Sequence, residues 1–405
     1  MSLHCDLIVG ARPNFMKAAP VAQQLRAAGR DFSVRLIHTG QHYDAVLSEV
    51  LFSQLEMAAP DLNLGVGSGS QAVQTARIMT ALEEVFVATP PDLVLVFGDV
   101  NSTLAAALVA AKLGITTGHV EAGLRSFDRS MPEEINRVVV DALSDLLFIT
   151  ESSASENLRR EGVPADLIHF VGNTMIDTLF KHRSRARALR VAETLGLPER
   201  GYIVVTLHRP SNVDDETRLA GIAASLVDLA ATWPIVFPVH PRTAARLRDA
   251  GLWDALASHA AVRLLEPLGY LHFLGVMDSA AGILTDSGGI QEESLALGVP
   301  CVTLRTTTER PVTLQTGGNI LAGDDPTVAI AAIVRAAAAP RSETVLPPFW
   351  DGRAAERIVA CVDRWDVAGR PGRHDHRGQP PVRERARLRP EAGEVPGWCA
   401  ADRLR

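Results

Sequence analysis

The chain is poor in several features that would decide its class at once. It has only four cysteines among 405 residues: Cys5, Cys301, Cys361 and Cys399. They lie far apart and form no C-x-x-C pair, which argues against a disulfide framework and against a thiolate zinc site. Basic charge is not in excess. The formal net charge is −7, whereas a general nucleic-acid binder shows a basic balance or stripe. No run of 18 apolar residues occurs, so no transmembrane helix is expected. The first residues, MSLHCDLIVGARP, lack a basic region followed by a long apolar run and do not resemble a secretory leader. A cytoplasmic protein, with no nucleic-acid or membrane partner, is the expectation. The dinucleotide fingerprint G-x-G-x-x-G is also missing after the first strand, where "GARPNF" stands instead.

The rest is ordinary for a globular protein: 47% hydrophobic and 21% charged residues, over a length that suits two domains. Short apolar runs alternate with helical patterns. Candidate strands are "DLIVG" (6–10), "SVRLIHTG" (33–40), "DLVLVFGD" (92–99), "ITTGHVEAG" (115–123) and "LLFITE" (146–151). After the basic segment "KHRSRARALRVAETLG" the pattern restarts with "YIVVTLH" (202–208), "PIVFPVH" (234–240), "VRLLEP" (262–267), "AGILTD" (281–286) and "PCVTLR" (300–305). Short β-branched strands separated by helices predict parallel sheets built from βαβ units. The fold class is therefore α/β, with two halves and a hinge near 173–180. Residues 366–405 hold nine Arg, six acidic residues and several Pro and Gly. Without periodic apolar positions they read as a disordered tail.

Ligands of doubly wound sheets bind outside the carboxyl ends of the strands, and the polar motifs fall there. "GARPNFMKAAPV" (10–21) puts Arg12 and Lys17 at a helix start, where the dipole favours anions. "HTGQHYD" (38–44) supplies His38, Gln41, His42 and Tyr43, without carboxylate or Cys at metal spacing, so no metal is expected. Asp99 ends a buried run, and Ser102 or Thr103 is available to cap the next helix in its place. Glu121 ends another strand beside a Gly. Pro132, Glu133 and Glu134 suit a helix start. In the second half, His208, Arg209 and the His-Pro-Arg of 240–242 follow strands. "ILTDSGGIQEE" (283–293) reads as a turn or as an anion cradle, and "TTTERPVT" (306–313) places Glu309 and Arg310 after the next strand.

Each motif alone is weak. Together, "GARPNFMK", "TGQH", "GDVNST", "HVEAGLRSFDRSMPEEINR", "VGNTMIDTL", "HRPSN", "TDSGGIQEE" and "TTERP", in this order over about residues 5–365, resemble the non-hydrolysing UDP-N-acetylglucosamine 2-epimerase family. The resemblance implies two Rossmann-like domains of the glycosyltransferase B type with a cleft between them. The first would span 1–174 plus a returning helix at about 352–365, and the second 175–351. It implies interconversion of UDP-N-acetylglucosamine and UDP-N-acetylmannosamine, by elimination of UDP to a 2-acetamidoglucal and re-addition, with no cofactor, in a homodimer whose cleft closes on substrate. By position, Asp99, Glu121 and Glu133 match the acidic trio and His208 a catalytic or phosphate-contacting histidine. Arg12 and Lys17 match basic residues near the nucleotide. Ser287, Gly288 and Gly289 match the diphosphate loop, Glu293 the ribose carboxylate, Arg310 an arginine beside the phosphates, and Phe273 an aromatic near uracil. Glu292, off the ribose position, is expected to be structural or solvent-facing.

The alternatives are the same epimerisation on a diacetamido uronic acid, a hydrolysing epimerase, a glycosyltransferase and an inactive UDP-sugar sensor. The "PEE-x-NR" run, with Asn136 and Arg137, favours retention of UDP. Two departures stand out. The family's His-Arg-x-Glu-Asn is His208-Arg209-Pro210-Ser211-Asn212 here. Ser68-Gly69-Ser70-Gln71 replaces an Arg-Gln-Thr that binds a second, activating UDP-sugar in some members, so substrate activation is not expected.

Overall fold

The computed structural model describes residues 2–28, 32–41, 51–340 and 345–369. His42, Tyr43, Cys399 and the segment 370–405 lie outside them. Two parallel sheets form. The first holds β1 (Leu3–Val9), β2 (Phe32–His38), β3 (Leu62–Asn63), β4 (Leu93–Phe97), β5 (Thr116–Ala122), β6 (Leu146–Ile149) and β7 (Ile168–Phe170). The second holds β8 (Ile203–Thr206), β9 (Ile235–Pro238), β10 (Val262–Leu265), β11 (Gly282–Thr285), β12 (Cys301–Thr303) and β13 (Asn319–Leu321). The orders are β3-β2-β1-β4-β5-β6-β7 and β10-β9-β8-β11-β12-β13. Every pair is parallel, as in β1 on β4, where Cys5 faces Leu93 and Ile8 faces Val96.

Helices cover both faces of such a sheet, so central strands read as continuous apolar runs. LVLVF of β4 is buried at all five positions. Each order reverses once, between β1 and β4 and between β8 and β11. These are topological switch points, where the loops part and leave a crevice.

The expected hinge region is helical: Thr174–Ala188 forms one helix, capped by the Asn173 side chain. Thr178 on it donates to the Met16 carbonyl at 2.6 Å. Near the end of the described chain, Trp350 Nε1 donates to the Thr150 carbonyl at 2.9 Å. The amides of Ala354 and Ala355 then bond the Asp177 carboxylate at 3.0 and 2.7 Å. That starts the helix Ala354–Val367, which packs on the helix Arg12–Ala27 beside β1. Cys5, Cys301 and Cys361 are buried free thiols. Among the described residues, no helix is long and apolar enough to cross a membrane.

Candidate active site

A cavity of about 510 Å³ lies between the two sheets. The loops after β1, β4, β8 and β11 all reach it, through Arg12, Asp99, His208 and Ser287. It is also lined by Lys17, Glu133, Phe273, Gly288, Gly289, Glu293 and Arg310. The motifs at the strand ends therefore meet in one place, although they are up to three hundred residues apart in the chain.

Glu121 is at the centre of the buried charge. It is the last residue but one of β5, at a register shift between Val120 and Ala122, with φ at 77°. A positive φ in a non-glycine residue is strained, and such strain concentrates at functional sites. The carboxylate is 4% exposed. One oxygen meets Lys17 Nζ at 2.7 Å and the other accepts from Arg310 Nη2 at 3.0 Å. The first cation comes from the first sheet's side and the second from the second's, so Glu121 is held from both walls.

Of the three matched acids, Asp99 and Glu133 line the cavity, and Glu121 is not among its lining residues. The Asp99 carboxylate is partly exposed to the cleft and pairs with Arg137 Nη1 at 3.3 Å. Its carbonyl accepts from Asn136 Nδ2 at 2.8 Å. Asn136 and Arg137 thus hold Asp99, which gives the "PEE-x-NR" run a structural meaning. Glu133 lines the cleft. Glu134 turns the other way: it accepts from the amides of Ser126 and Phe127, both at 2.9 Å, and pins the preceding loop. Pro132 does open the helix, Pro132–Leu143. The expected cap at Ser102 or Thr103 is corrected. The helix Asn101–Leu113 starts from Val100 without a side-chain cap. Ser102 bonds Gln41 instead, and Thr103 donates back to the Phe97 carbonyl. Both hydroxyls serve strand-to-helix contacts, and Asp99 caps nothing.

The opposite wall is built by the second sheet. Ser287 precedes the helix Gly288–Leu297 and makes no capping bond with its hydroxyl. The first amides of that helix lack partners within it and carry the positive end of its dipole, a setting that suits an anion. Gly288 has a further reason to be glycine: an added Cβ would sit 2.4 Å from Glu309 Oε1 and 2.8 Å from Arg310 Nη1. Arg12 reaches across and donates to the Leu268 carbonyl at 3.2 Å, next to Tyr270 and Phe273. Glu293 is buried near Tyr270 and Arg12, and burial pushes its carboxyl up to about 7.

Glu292 is not solvent-facing. It is fully buried, accepts from Asn173 Nδ2 at 2.9 Å, and pairs with Arg310 Nε at 2.9 Å. Arg310 is buried too and also touches Glu309 at 2.5 Å. One guanidinium therefore binds Glu121, Glu292 and Glu309. Burial raises Glu292 to about 7 despite Arg310. Glu309, which Arg305 also contacts at 2.8 Å, is held well below the carboxylate range because the two arginines outweigh its burial.

Sequence reasoning missed Asp286. It follows β11 directly and is fully buried. Its oxygens accept from the His208 and Arg209 amides and from Asn212 Nδ2. His208 Nδ1 lies 2.8 Å from it. Burial pushes the Asp286 carboxyl up, and the bonds from His208, Arg209 and Asn212 outweigh it and lower it. Asp286 therefore orients the His208 ring, as a buried carboxylate does behind a working imidazole. Its position at the end of a buried strand was the available signal. His240, another strand-end residue, packs its ring 5.8 Å from that of His208.

Comparison with known proteins gives a consistent answer. The family model for UDP-N-acetylglucosamine 2-epimerase matches residues 23–363. The UDP-N-acetylglucosamine 2-epimerase of Methanocaldococcus jannaschii is 41% identical over 362 residues, 88% of this chain and 98% of that protein. The UDP-2,3-diacetamido-2,3-dideoxy-D-glucuronate 2-epimerase of Pseudomonas aeruginosa is 40% identical over 320 residues, 78% of this chain and 87% of that one. The crystal structure of the M. jannaschii enzyme in complex with UDP-GlcNAc and UDP matches with a TM-score of 0.83 at 40% identity, covering 89% of this chain and all of that one. Strand-end motifs, a two-sheet cleft and a sequence shared over the whole body converge, and the chain belongs to the UDP-N-acetylglucosamine 2-epimerase family.

Proposed function

We propose that the protein interconverts UDP-N-acetylglucosamine and UDP-N-acetylmannosamine by inverting C2. One observation carries this reading: carboxylates and an anion-favouring helix N-terminus face each other across a single cavity. The C2–H bond breaks as a carboxylate takes the proton. The anomeric C–O bond breaks as UDP leaves with its electron pair, and a C1–C2 double bond forms. The reverse steps put a proton on the other face of C2 and return UDP to C1. Proton transfer at two faces requires more than one acid–base group, and Asp99, Glu121 and Glu133 are the candidates. Such neighbouring acids titrate together, so no single one is assigned as base. UDP departure needs charge stabilisation fixed in advance. The amides at Ser287–Gly289 and the side chains of Arg12 and His208 supply it. Arg310, already shared by three carboxylates, joins the acid side to the UDP loop more than it awaits a phosphate.

Incubation with UDP-N-acetylglucosamine in deuterium oxide is the test. Deuterium at C2 and a UDP-linked manno product are expected. Absence of both overturns the reading, and release of free N-acetylmannosamine points to hydrolysis. The 40% identity to the Pseudomonas enzyme favours one second reading, the same inversion on a diacetamido uronic acid. Turnover of both UDP-sugars side by side decides between them.

The ribose site has its own pH signature. With Glu293 as the group that accepts from the ribose hydroxyls, its carboxylate form binds best. The carboxyl sits at about 7, so ionisation, and with it affinity for the UDP-sugar, rises as pH rises through that value. The dissociation constant is expected to fall by up to ~10-fold from pH 6 to 8, and Glu293→Gln to bind more weakly with a flat profile. Titration calorimetry checks this, and a flat wild-type profile contradicts it.

A further inference from the structure

Behind the acidic wall lies a second buried charge cluster that the proposed chemistry does not use directly. His119, in the middle of "HVEAG", is fully buried on β5. Its Nδ1 lies 2.6 Å from Asp141 Oδ1 and its Nε2 lies 2.8 Å from the carbonyl oxygen of Gly98. A carbonyl oxygen can only accept. Asp141 accepts as well when it is a carboxylate, the form favoured by Arg125 Nη1 at 2.7 Å and the Gly123 amide at 3.0 Å on its other oxygen. Burial works against that carboxylate, and Arg125 beside it opposes burial. A neutral imidazole carries one N–H and one lone pair. Either tautomer would aim the lone pair at an acceptor within 3 Å.

We propose that His119 is a doubly protonated imidazolium that locks the three acid-bearing segments together, a positioning residue for the acid–base chemistry. The claim to a role in catalysis rests on the epimerase reading; the claim about protonation does not. Charge balance permits it. Arg125 pairs with Glu161 through two contacts of 2.8 and 2.6 Å. His119 and Arg125 are thus matched by Asp141 and Glu161, which makes a buried positive charge tolerable.

The connections explain the positioning. Gly98, whose carbonyl His119 holds, directly precedes Asp99 and has φ at 62°. Gly123, held by Asp141, follows Glu121 by two residues. Asp141 itself lies on the helix Pro132–Leu143, whose second residue is Glu133. One ring therefore ties the backbones that carry all three carboxylates. Gly98 also stands close to the site, since a Cβ there would meet Lys17 Nζ at 2.8 Å. Among the described residues, Glu121 also approaches Gly98, whose added Cβ would lie 3.9 Å from Glu121 Oε1.

The test uses the full-length protein with ¹⁵N-labelled histidine at pH 7. His119 is assigned by the signals lost in His119→Gln. Two protonated-type ring nitrogens are expected, and a pyridine-type nitrogen on His119 overturns the proposal. Turnover gives the second arm. His119→Gln keeps a donor for one partner only. It is expected to lower kcat by ~10- to 10²-fold, as small misplacements of catalytic groups do, with KM and UDP affinity within about twofold. Asp141→Asn removes the anion, and is expected to cost His119 one of its ring protons and to lower kcat likewise. It stands in if His119→Gln does not fold. A folded variant of either kind with wild-type kcat overturns the positioning role. A wild-type protein without epimerase activity fails the functional reading instead, while the nitrogen spectrum still decides the protonation.

Discussion

Glu121→Gln is expected to lower turnover by ~10²- to 10⁴-fold, the range that general acid–base groups supply, while UDP still binds. The substitution keeps the shape of the side chain and removes its ability to take a proton. It also changes the local electrostatics. Lys17 and Arg310 both donate to Glu121, and an amide offers them one acceptor oxygen and an NH2 group of the wrong polarity. One cation is left facing a donor. The amide should therefore rotate, and Lys17 should find a new partner. The loop proposed for UDP, Ser287–Gly289, belongs to the second sheet, and the ion pairs of Glu121 are with Lys17 and Arg310. The loss should accordingly fall on kcat with KM nearly unchanged, the pattern of a group that acts in the transition state. Asp99→Asn tests the same chemistry from a more exposed position, and it should spare stability better because Asp99 has a single ion pair at 3.3 Å. Steady-state kinetics with UDP binding by calorimetry separates the two effects. Wild-type kcat in Glu121→Gln would remove Glu121 from the chemistry.

The sequence showed how the site is distributed better than how it is held. Ten strands were legible because buried β-branched runs such as "LVLVF" end abruptly in polar residues. The three that escaped are β3, β7 and β13, with two, three and three residues. All are edge strands, too short for an alternation or a run to emerge from background. The strand-end positions of Asp99, Glu121, His208 and Ser287 were likewise readable, since doubly wound sheets open there. Partnership was not. Glu121 and Arg310 are 189 residues apart and His208 and Asp286 are 78 apart. No local pattern encodes such pairs. Glu292 shows the cost. Its neighbour Glu293 and the surrounding helix gave no reason to expect full burial, which follows only from Asn173 and Arg310 arriving from elsewhere. The caps failed for a related reason. Ser102 had the right residue type for an N-cap, but Gln41 of another loop claims its hydroxyl.

Arg310→Leu is expected to destabilise the protein by ~3–5 kcal/mol, the usual result of removing one partner from a buried ion cluster, and to abolish most activity. Three carboxylates lose the same guanidinium. They are not equally stranded. Glu121 retains Lys17 at 2.7 Å, and Glu309 retains Arg305 at 2.8 Å. Glu292 keeps only the neutral Asn173 amide, and burial already lifts its carboxyl to about 7 with Arg310 in place. In the variant Glu292 should stay protonated to still higher pH. The sign of the pH dependence follows. A carboxyl raised in the folded state contributes its stability below the unfolded value of about 4.3 and loses it as pH rises through the folded value. The deficit against wild type should therefore be smallest near pH 5 and grow toward pH 8. Urea unfolding at several pH values measures it. Arg310→Lys should rescue little, because a point charge cannot serve three carboxylates in different directions. A deficit below about 1 kcal/mol, the scale of an exposed pair, would show that Arg310 does not anchor the cluster. Other contacts, such as that of Asn173 with Glu292, would then have to join the two sides.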